Sequence, residues 1–172
     1  EILKIKNIKS KFIEGLRVTD KKTVKVVEEV LSKDINSKIV EDINNTGGKA
    51  IGLSGHLNNI IEAKKIEIAL KDSDSNIEKI LDIGFVGKPI KINCDLIKEN
   101  ISKGFIPVIA PLGCDKEKNT LNINADTAAG AIAEAMQASK LLLLTDVAGI
   151  LDENNKLISS LSVNDAKKII NK

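Results

Sequence analysis

The stretch LNINADTAAGAIAEAMQASKLLLLTD, residues 121–146, contains the pattern that decides the fold class. LNIN (121–124) has the character of a short extended segment, and residues 125–139 are mostly small residues that favour a helix. LLLLTD (141–146) is a continuous apolar run, which is typical of a strand buried on both faces. A strand, a helix and a second buried strand in this order indicate a parallel sheet.

The same alternation extends towards both ends of the chain. Apolar spacing predicts helices over 22–32, 36–45, 95–103 and 162–171, and strands over 50–55, 63–70, 80–93 and 105–113. The polar residues 71–79 are predicted to form a loop. The pattern predicts an α/β fold, with a mainly parallel sheet covered by helices on both faces. Because no repeat or linker interrupts it, residues 1–172 are predicted to form a single domain.

Composition excludes several classes of function. The net charge of +2 and the scattered basic residues argue against a nucleic-acid partner. No apolar run reaches the length of about 18 residues that a transmembrane helix needs. Cys94 and Cys114 have no CxxC partner and no histidine at metal spacing, so we expect free thiols, no metal site and a cytoplasmic protein.

Arg17, in GLRVTD, is the only arginine among 26 basic residues. In a chain that otherwise uses lysine for positive charge, a retained arginine indicates a need for the planar, bidentate guanidinium. Such a group can grip a carboxylate. The alternative is chance retention on a solvated surface.

Two further motifs combine polar residues with small ones. In NINADTAAG, Asn122 could hydrogen-bond a substrate carboxylate or amide, and the helix that begins near Asp126 offers N–H groups to an anion. Equally, Asn and Asp could only cap a core helix. In LLTDVAGIL, Asp146 and Gly149 form a turn at the end of a predicted strand, where ligands of open α/β sheets collect. Asp146 could instead be an ordinary turn residue.

Taken in order, the motifs resemble those of the N-acetyl-L-glutamate kinases, from about residue 10 to residue 172. The running order is GLRVTD, GGKAIGLSG, DIGFVGKPIKIN, GFIPVIAPLG, NINADTAAGAIAEAM and LLLLTDVAGILDENNKLISSL. The resemblance implies the amino-acid kinase fold, a three-layer α/β/α sandwich. It also implies transfer of the ATP γ-phosphoryl group to the side-chain carboxylate of N-acetyl-L-glutamate in arginine biosynthesis, with Mg²⁺ accompanying ATP.

The resemblance also assigns roles to single residues. It implies that Arg17 clamps a substrate carboxylate, that Asn122 binds acetylglutamate, and that Asp126 is the catalytic acidic residue that organises lysines. A nucleotide-binding loop is implied for Asp146, Val147, Ala148, Gly149, Ile150 and Leu151. A homodimer or a larger homo-oligomer is expected for the family, with no membrane or nucleic-acid partner.

Some family features are absent from the sequence. No Lys-x-Gly-Gly strand or early Gly-Gly loop stands before residue 10, and no Gly-Gly-Met-x-x-Lys segment follows. The N- and C-terminal parts of the family pattern are therefore missing, and the isolated chain is expected to be inactive. Lys49 and Lys88 match no catalytic lysine and are expected at the surface, and His56 is expected in an exposed loop.

Other functions stay open. Sister enzymes such as glutamate 5-kinase, carbamate kinase and uridylate kinase share the fold, although GLRVTD together with NINAD favours acetylglutamate. A non-catalytic remnant that only binds ligand is the alternative from another class. The absence of GxGxxG argues against a dinucleotide-binding domain.

Overall fold

A computed structural model describes residues 11–13, 16–71, 78–145 and 147–170. The chain divides into two compact units, one that reaches Leu141 and one that begins at Leu142. The elements are β1 (Phe12–Ile13), β2 (Leu16–Arg17), α1 (Lys21–Glu29), a π-helical turn (Val30–Ile35), α2 (Asn36–Asn45), β3 (Ala50–Ser54), a 3-10 turn (Leu57–Asn59), β4 (Ile61–Lys71), β5 (Glu78–Ile92), α3 (Asp95–Ser102), β6 (Ile106–Ala110), β7 (Leu112–Cys114), β8 (Thr120–Ile123), α4 (Ala125–Ala135) and α5 (Val163–Ile170).

Helix boundaries follow local capping signals. Asp20 caps α1, because its carboxylate accepts a hydrogen bond of 2.7 Å from the Thr23 amide. This bond lowers the pKa of Asp20. The helical path continues through the π-helical turn into α2, which ends at Asn45 as predicted and is followed by Gly47 with a φ of +89°.

The parallel part of the sheet consists of β3 and β6, paired from Ala50↔Ile106 to Ser54↔Ala110. Asn36, at the start of α2, is buried against this pair. Its Nδ2 donates to the carbonyls of Leu53 at 3.2 Å and Val108 at 2.8 Å, one on each strand. A Cβ on Gly52 would lie 2.2 Å from Asn36 Oδ1, so only glycine lets the helix approach this closely.

The longest strands form a second sheet, a closed barrel in the order β4-β5-β8-β7. Its pairs are mixed: β4–β5 and β7–β8 run antiparallel, whereas β5–β8 and β4–β7 run parallel. The largest fully buried side chains include Ile60, Ile61, Ile83, Leu112 and Leu121. Ile60, Ile61 and Leu121 belong to one core cluster and Ile83 to another. The barrel places Asn122 on β8 beside Val86 of β5 and Leu112 of β7.

The second unit differs from the prediction. Residues 141–145 form no strand, and Leu142 and Leu144 are 82% and 98% exposed. The prediction of a buried strand is wrong for these residues, because an apolar run is buried only where neighbouring strands or helices cover it. The described part of this unit contains one antiparallel bridge, Leu151↔Leu157, and the helix α5.

The α/β class is confirmed, and most predicted elements exist at their predicted places. The predicted strand over 105–113 is divided at Pro111 into β6 and β7, and the predicted helix over 125–139 ends at Ala135. The core of the predicted loop over 71–79, residues 72–77, lies outside the described residues. No helix in the described ranges is long and apolar enough to cross a membrane.

Candidate functional site

Arg17 stands at the end of a small hairpin formed by β1 and β2. Phe12 is its cross-strand partner, and the guanidinium carbon lies 4.5 Å from the centre of the Phe12 ring. A guanidinium over an aromatic face is held by a cation–π interaction. The half-buried Arg17 side chain is therefore oriented by its neighbour, as a carboxylate-gripping group requires.

The chain after Arg17 is fixed to the barrel at Thr19. Thr19 is 0% exposed and forms a parallel bridge to Gly84 on β5. Its amide donates to the Ile83 carbonyl at 2.9 Å, and its own carbonyl accepts from the Phe85 amide at 2.6 Å. The motif that contains Arg17 is thus attached to β5, the strand next to β8.

Arg17 and Asn122 are brought together through the Thr19 hydroxyl. Thr19 Oγ1 donates to the Arg17 carbonyl at 2.8 Å, and Asn122 Nδ2 lies 3.4 Å from the same oxygen. More than a hundred positions separate the two motifs in sequence, yet they share one buried polar contact. The backbone of Arg17 and the side chain of Asn122 therefore contact the same hydroxyl.

The part of β5 that pairs with Thr19 is held by further polar contacts. Asp82 Oδ1 accepts a hydrogen bond of 2.8 Å from the Gly84 amide and lies 3.1 Å from Lys65 Nζ. The Gly84 bond, followed by that from Lys65, lowers the pKa of Asp82. Lys65 Nζ also lies 5.5 Å from the centre of the Phe85 ring.

Asp126 lies four residues beyond Asn122, in the first turn of α4, with an exposed side chain. The cap of this helix is Asn124, whose Oδ1 accepts hydrogen bonds from the Thr127 amide at 3.0 Å and hydroxyl at 3.1 Å. Asp126 is thus not used as the cap. Its carboxylate stands at the N-terminal end of α4, where the helix dipole is positive.

The predicted nucleotide loop belongs to the second unit. Asp146 lies outside the described residues, and Val147, Ile150 and Leu151 are exposed. Directly after the loop, Asp152 Oδ1 accepts from the amides of Asn154 and Lys156, both at 2.8 Å. This tight turn fixes where the loop ends.

His56 lies at a place that the sequence did not predict. Its side chain is 10% exposed, so the prediction of an exposed loop histidine is wrong. Nδ1 lies 2.9 Å from Ser54 Oγ, and Nε2 lies 3.4 Å from Glu28 Oε1. Burial lowers the pKa of His56, and the Glu28 carboxylate opposes that shift. His56 therefore connects α1 to the end of β3.

The remaining sequence predictions concern lysines and cysteines. Lys49 and Lys88 are exposed, as predicted. Cys94 and Cys114 are free thiols that line a cleft of about 640 Å³. Lysines and carboxylates line this cleft. None of the predicted site residues lines it, so the cleft is not part of the candidate site.

Sequence reasoning missed the joining role of Thr19. The signal was present in the motif, since in GLRVTD residues 17 and 19 alternate on an extended segment and point to the same side. What the sequence could not supply is the partner, because Asn122 arrives from a distant strand.

Comparison with known proteins gives the family. The model of the amino acid kinase family matches residues 1–172. The chain belongs to the amino acid kinase family. It is 52% identical over 170 residues to the acetylglutamate kinase of Rhodospirillum centenum, and 52% identical over 169 residues to that of Bradyrhizobium diazoefficiens. These alignments include 99% and 98% of this chain but 56% and 57% of the two relatives. The chain thus spans about half the length of the curated relatives that it matches.

Solved structures agree on the fold. The protein smu.665 from Streptococcus mutans superposes with a TM-score of 0.81 at 30% identity, over 99% of this chain and 64% of that one. N-acetylglutamate synthase from Neisseria gonorrhoeae, in complex with coenzyme A and N-acetyl-glutamate, superposes with a TM-score of 0.73 at 23% identity, over 98% of this chain and 36% of that one. The second likeness concerns the fold alone.

Proposed function

We propose that this chain is part of an acetylglutamate kinase, which transfers the γ-phosphoryl group of ATP to the side-chain carboxylate of N-acetyl-L-glutamate. The observation that carries the proposal is that the Arg17 carbonyl and the Asn122 amide contact one buried hydroxyl, in a chain 52% identical to proteins of that name. A guanidinium and an amide together suit an acceptor that carries both a carboxylate and an acetamido group.

Each site residue then has a role. Arg17 grips a carboxylate of the acceptor, and Asn122 forms a hydrogen bond with the acceptor. Asp126 orients the lysines that the family supplies near the transferring group, and Asp146 with residues 147–151 contributes to the nucleotide site. The exposed position of Asp126 at a helix start suits a carboxylate that pairs with cations from another segment.

The reaction needs little covalent chemistry from the protein. A carboxylate oxygen of acetylglutamate, already ionised at pH 7, attacks the γ-phosphorus while the bond to the β–γ bridging oxygen of ATP breaks. The products are an acyl phosphate and ADP, and no general base is required. Positioning and positive charge around the transferring group supply the catalysis. Mg²⁺ enters with the ATP phosphates, in keeping with its preference for substrate phosphates over all-protein cages.

The proposal extends to the whole protein. Both compact units belong to a single amino acid kinase domain, since the family model covers residues 1–172. The complete protein acts in the cytoplasm, as a homodimer or a larger homo-oligomer, and takes part in arginine biosynthesis. Sister kinases that act on other acceptors are the second candidate, and acceptor specificity separates them.

A coupled assay of ATP consumption tests this function on the complete product of the gene that encodes the chain. Turnover with N-acetylglutamate, and not with glutamate, carbamate or UMP, supports the proposal. In the variant Arg17→Lys, which keeps the charge but loses the bidentate fork, we expect the KM for acetylglutamate to rise about tenfold to a hundredfold. Lys49→Arg, at an exposed position away from the site, is the control and keeps wild-type kinetics.

Turnover with another of these acceptors would show that the protein is a sister kinase and not an acetylglutamate kinase. Absence of turnover with every acceptor would favour a protein that only binds ligand.

A further inference from the structure

Thr19 has no role in the proposed mechanism, yet it is among the most constrained residues of the chain. It is 0% exposed, and both polar atoms of its backbone are hydrogen-bonded to β5. A threonine that served only to fill space could be replaced by valine, which has the same shape. The hydroxyl is therefore the feature that needs an explanation.

The directions of the two side-chain hydrogen bonds follow from chemistry. The Arg17 carbonyl can only accept, so the single hydroxyl hydrogen of Thr19 is donated to it, at 2.8 Å. Oγ1 can then only accept from Asn122, which must present its NH₂ group, at 3.4 Å. The hydroxyl thus fixes which way the Asn122 amide is turned.

The orientation of that amide decides what it offers to a ligand. With Nδ2 directed to Thr19, Oδ1 is directed away from it. Within the described ranges, Oδ1 of Asn122 makes no hydrogen bond. An oxygen that can only accept a hydrogen bond suits a ligand that offers an N–H group.

The close approach of Thr19 to the barrel depends on Gly84. This residue has a φ of +83°, and a Cβ there would lie 2.1 Å from the Thr19 carbonyl oxygen. Any other side chain would push Thr19 away from β5. Since Asn122 is held on β8, the strand next to β5, the distance between the Thr19 hydroxyl and Asn122 is set by this glycine.

We propose that Thr19 is a positioning residue for the acceptor-binding site, which holds the backbone of Arg17 and the amide of Asn122 in one frame. The proposal rests on the proposed function and deepens it. Thr19 acts through Arg17 and Asn122 and has no direct contact with the acceptor. Its loss is expected to weaken acceptor binding and to leave the nucleotide site unaffected.

Three variants of the complete protein test the assignment. Thr19→Val keeps the shape and removes the hydroxyl, and Thr19→Ser keeps the hydroxyl. Thr23→Val is the matched control: Thr23 is similarly buried, but its hydroxyl bonds Asp20 and not the site. For each variant, the KM for acetylglutamate, the KM for ATP, kcat and the melting temperature are measured.

For Thr19→Val we expect the KM for acetylglutamate to rise about tenfold, with the KM for ATP unchanged. Thr19→Ser is expected to stay within about threefold of wild type. Thr23→Val is expected to lower the melting temperature without changing either KM. This split separates positioning from a structural role, which would change both KM values or neither.

The outcomes separate the two proposals. Active wild-type protein whose Thr19→Val variant keeps a normal KM for acetylglutamate would overturn the assignment of Thr19 alone. The same holds for a Thr19→Ser variant as impaired as Thr19→Val. Wild-type protein without acetylglutamate-dependent turnover would overturn the proposed function and the assignment together.

Discussion

The leucines named here are buried in one compact unit and exposed in the other. In the unit that reaches Leu141, Leu112 and Leu121 lie on strands of the barrel and are fully buried, whereas in the unit that begins at Leu142, Leu142 and Leu144 are almost fully exposed. The residue type is the same, and so is the local β-like pattern. The difference shows that an apolar run becomes core only where other elements are in place to cover it.

The most direct way to break this comparison is to truncate one leucine in each unit. We expect Leu121→Ala to lower the free energy of unfolding by about 3 to 5 kcal/mol, because it leaves a cavity at a fully buried core position. Leu144→Ala is expected to change it by less than about 0.5 kcal/mol. Urea unfolding followed by circular dichroism measures both. An equally large loss for Leu144→Ala would show that this leucine is covered in solution.

Glycines sharpen the same comparison within the first unit. We expect Gly84→Ala to destabilise the protein by about 2 to 3 kcal/mol, because Gly84 has a positive φ and stands against the Thr19 carbonyl. Gly130→Ala is the control, since its Cβ would meet nothing within 4 Å on helix α4. The control is expected to be about 0.5 to 1 kcal/mol more stable than wild type.

Thermal unfolding of these two variants under one set of conditions measures the predicted loss of stability for Gly84→Ala and the predicted gain for Gly130→Ala. A neutral Gly84→Ala would mean that β5 can shift away from Thr19, and the close approach would then not be needed.

The smallest expected effects are those of pH on the melting temperature. They arise in different pH ranges in the two units. His56 has a folded-state pKa below its usual value of about 6.5, mainly because of burial. The unfolded chain therefore binds more protons than the folded chain as the pH falls below 6.5. The free energy of unfolding falls with pH in that range, because protonation favours the unfolded chain. We expect the melting temperature of wild type to fall more steeply below pH 6.5 than that of His56→Gln.

In the second unit, Asp165 responds in a lower pH window. The Ser162 hydroxyl and then Lys168 lower its pKa below the usual 3.8, so its contribution is present at higher pH and is lost only below pH 3.8. Asp165→Asn is the comparison variant and is expected to leave the slope between pH 5 and 6.5 unchanged. If the two variants change that slope equally, His56 is not the group that titrates there.

Much of the local structure could be predicted from the sequence, because its causes are local. Asp20 as a cap, Gly47 as a helix end and the apolar spacing of α1 and α2 are signals that act within a few residues. The candidate site could be predicted only as separate motifs. That Arg17 and Asn122 meet depends on β2, β5 and β8 becoming neighbours, which no local pattern encodes.

The sequence by itself determined the α/β class, most of the elements and the motifs of the amino acid kinase family. Only the tertiary structure decided that His56 is covered, that Leu144 is exposed and that the Thr19 hydroxyl joins two distant motifs. The physical reason is the sequence distance over which each interaction acts. Capping and periodicity act between residues a few positions apart, whereas burial and hydrogen bonding depend on which segments are adjacent after the chain has folded.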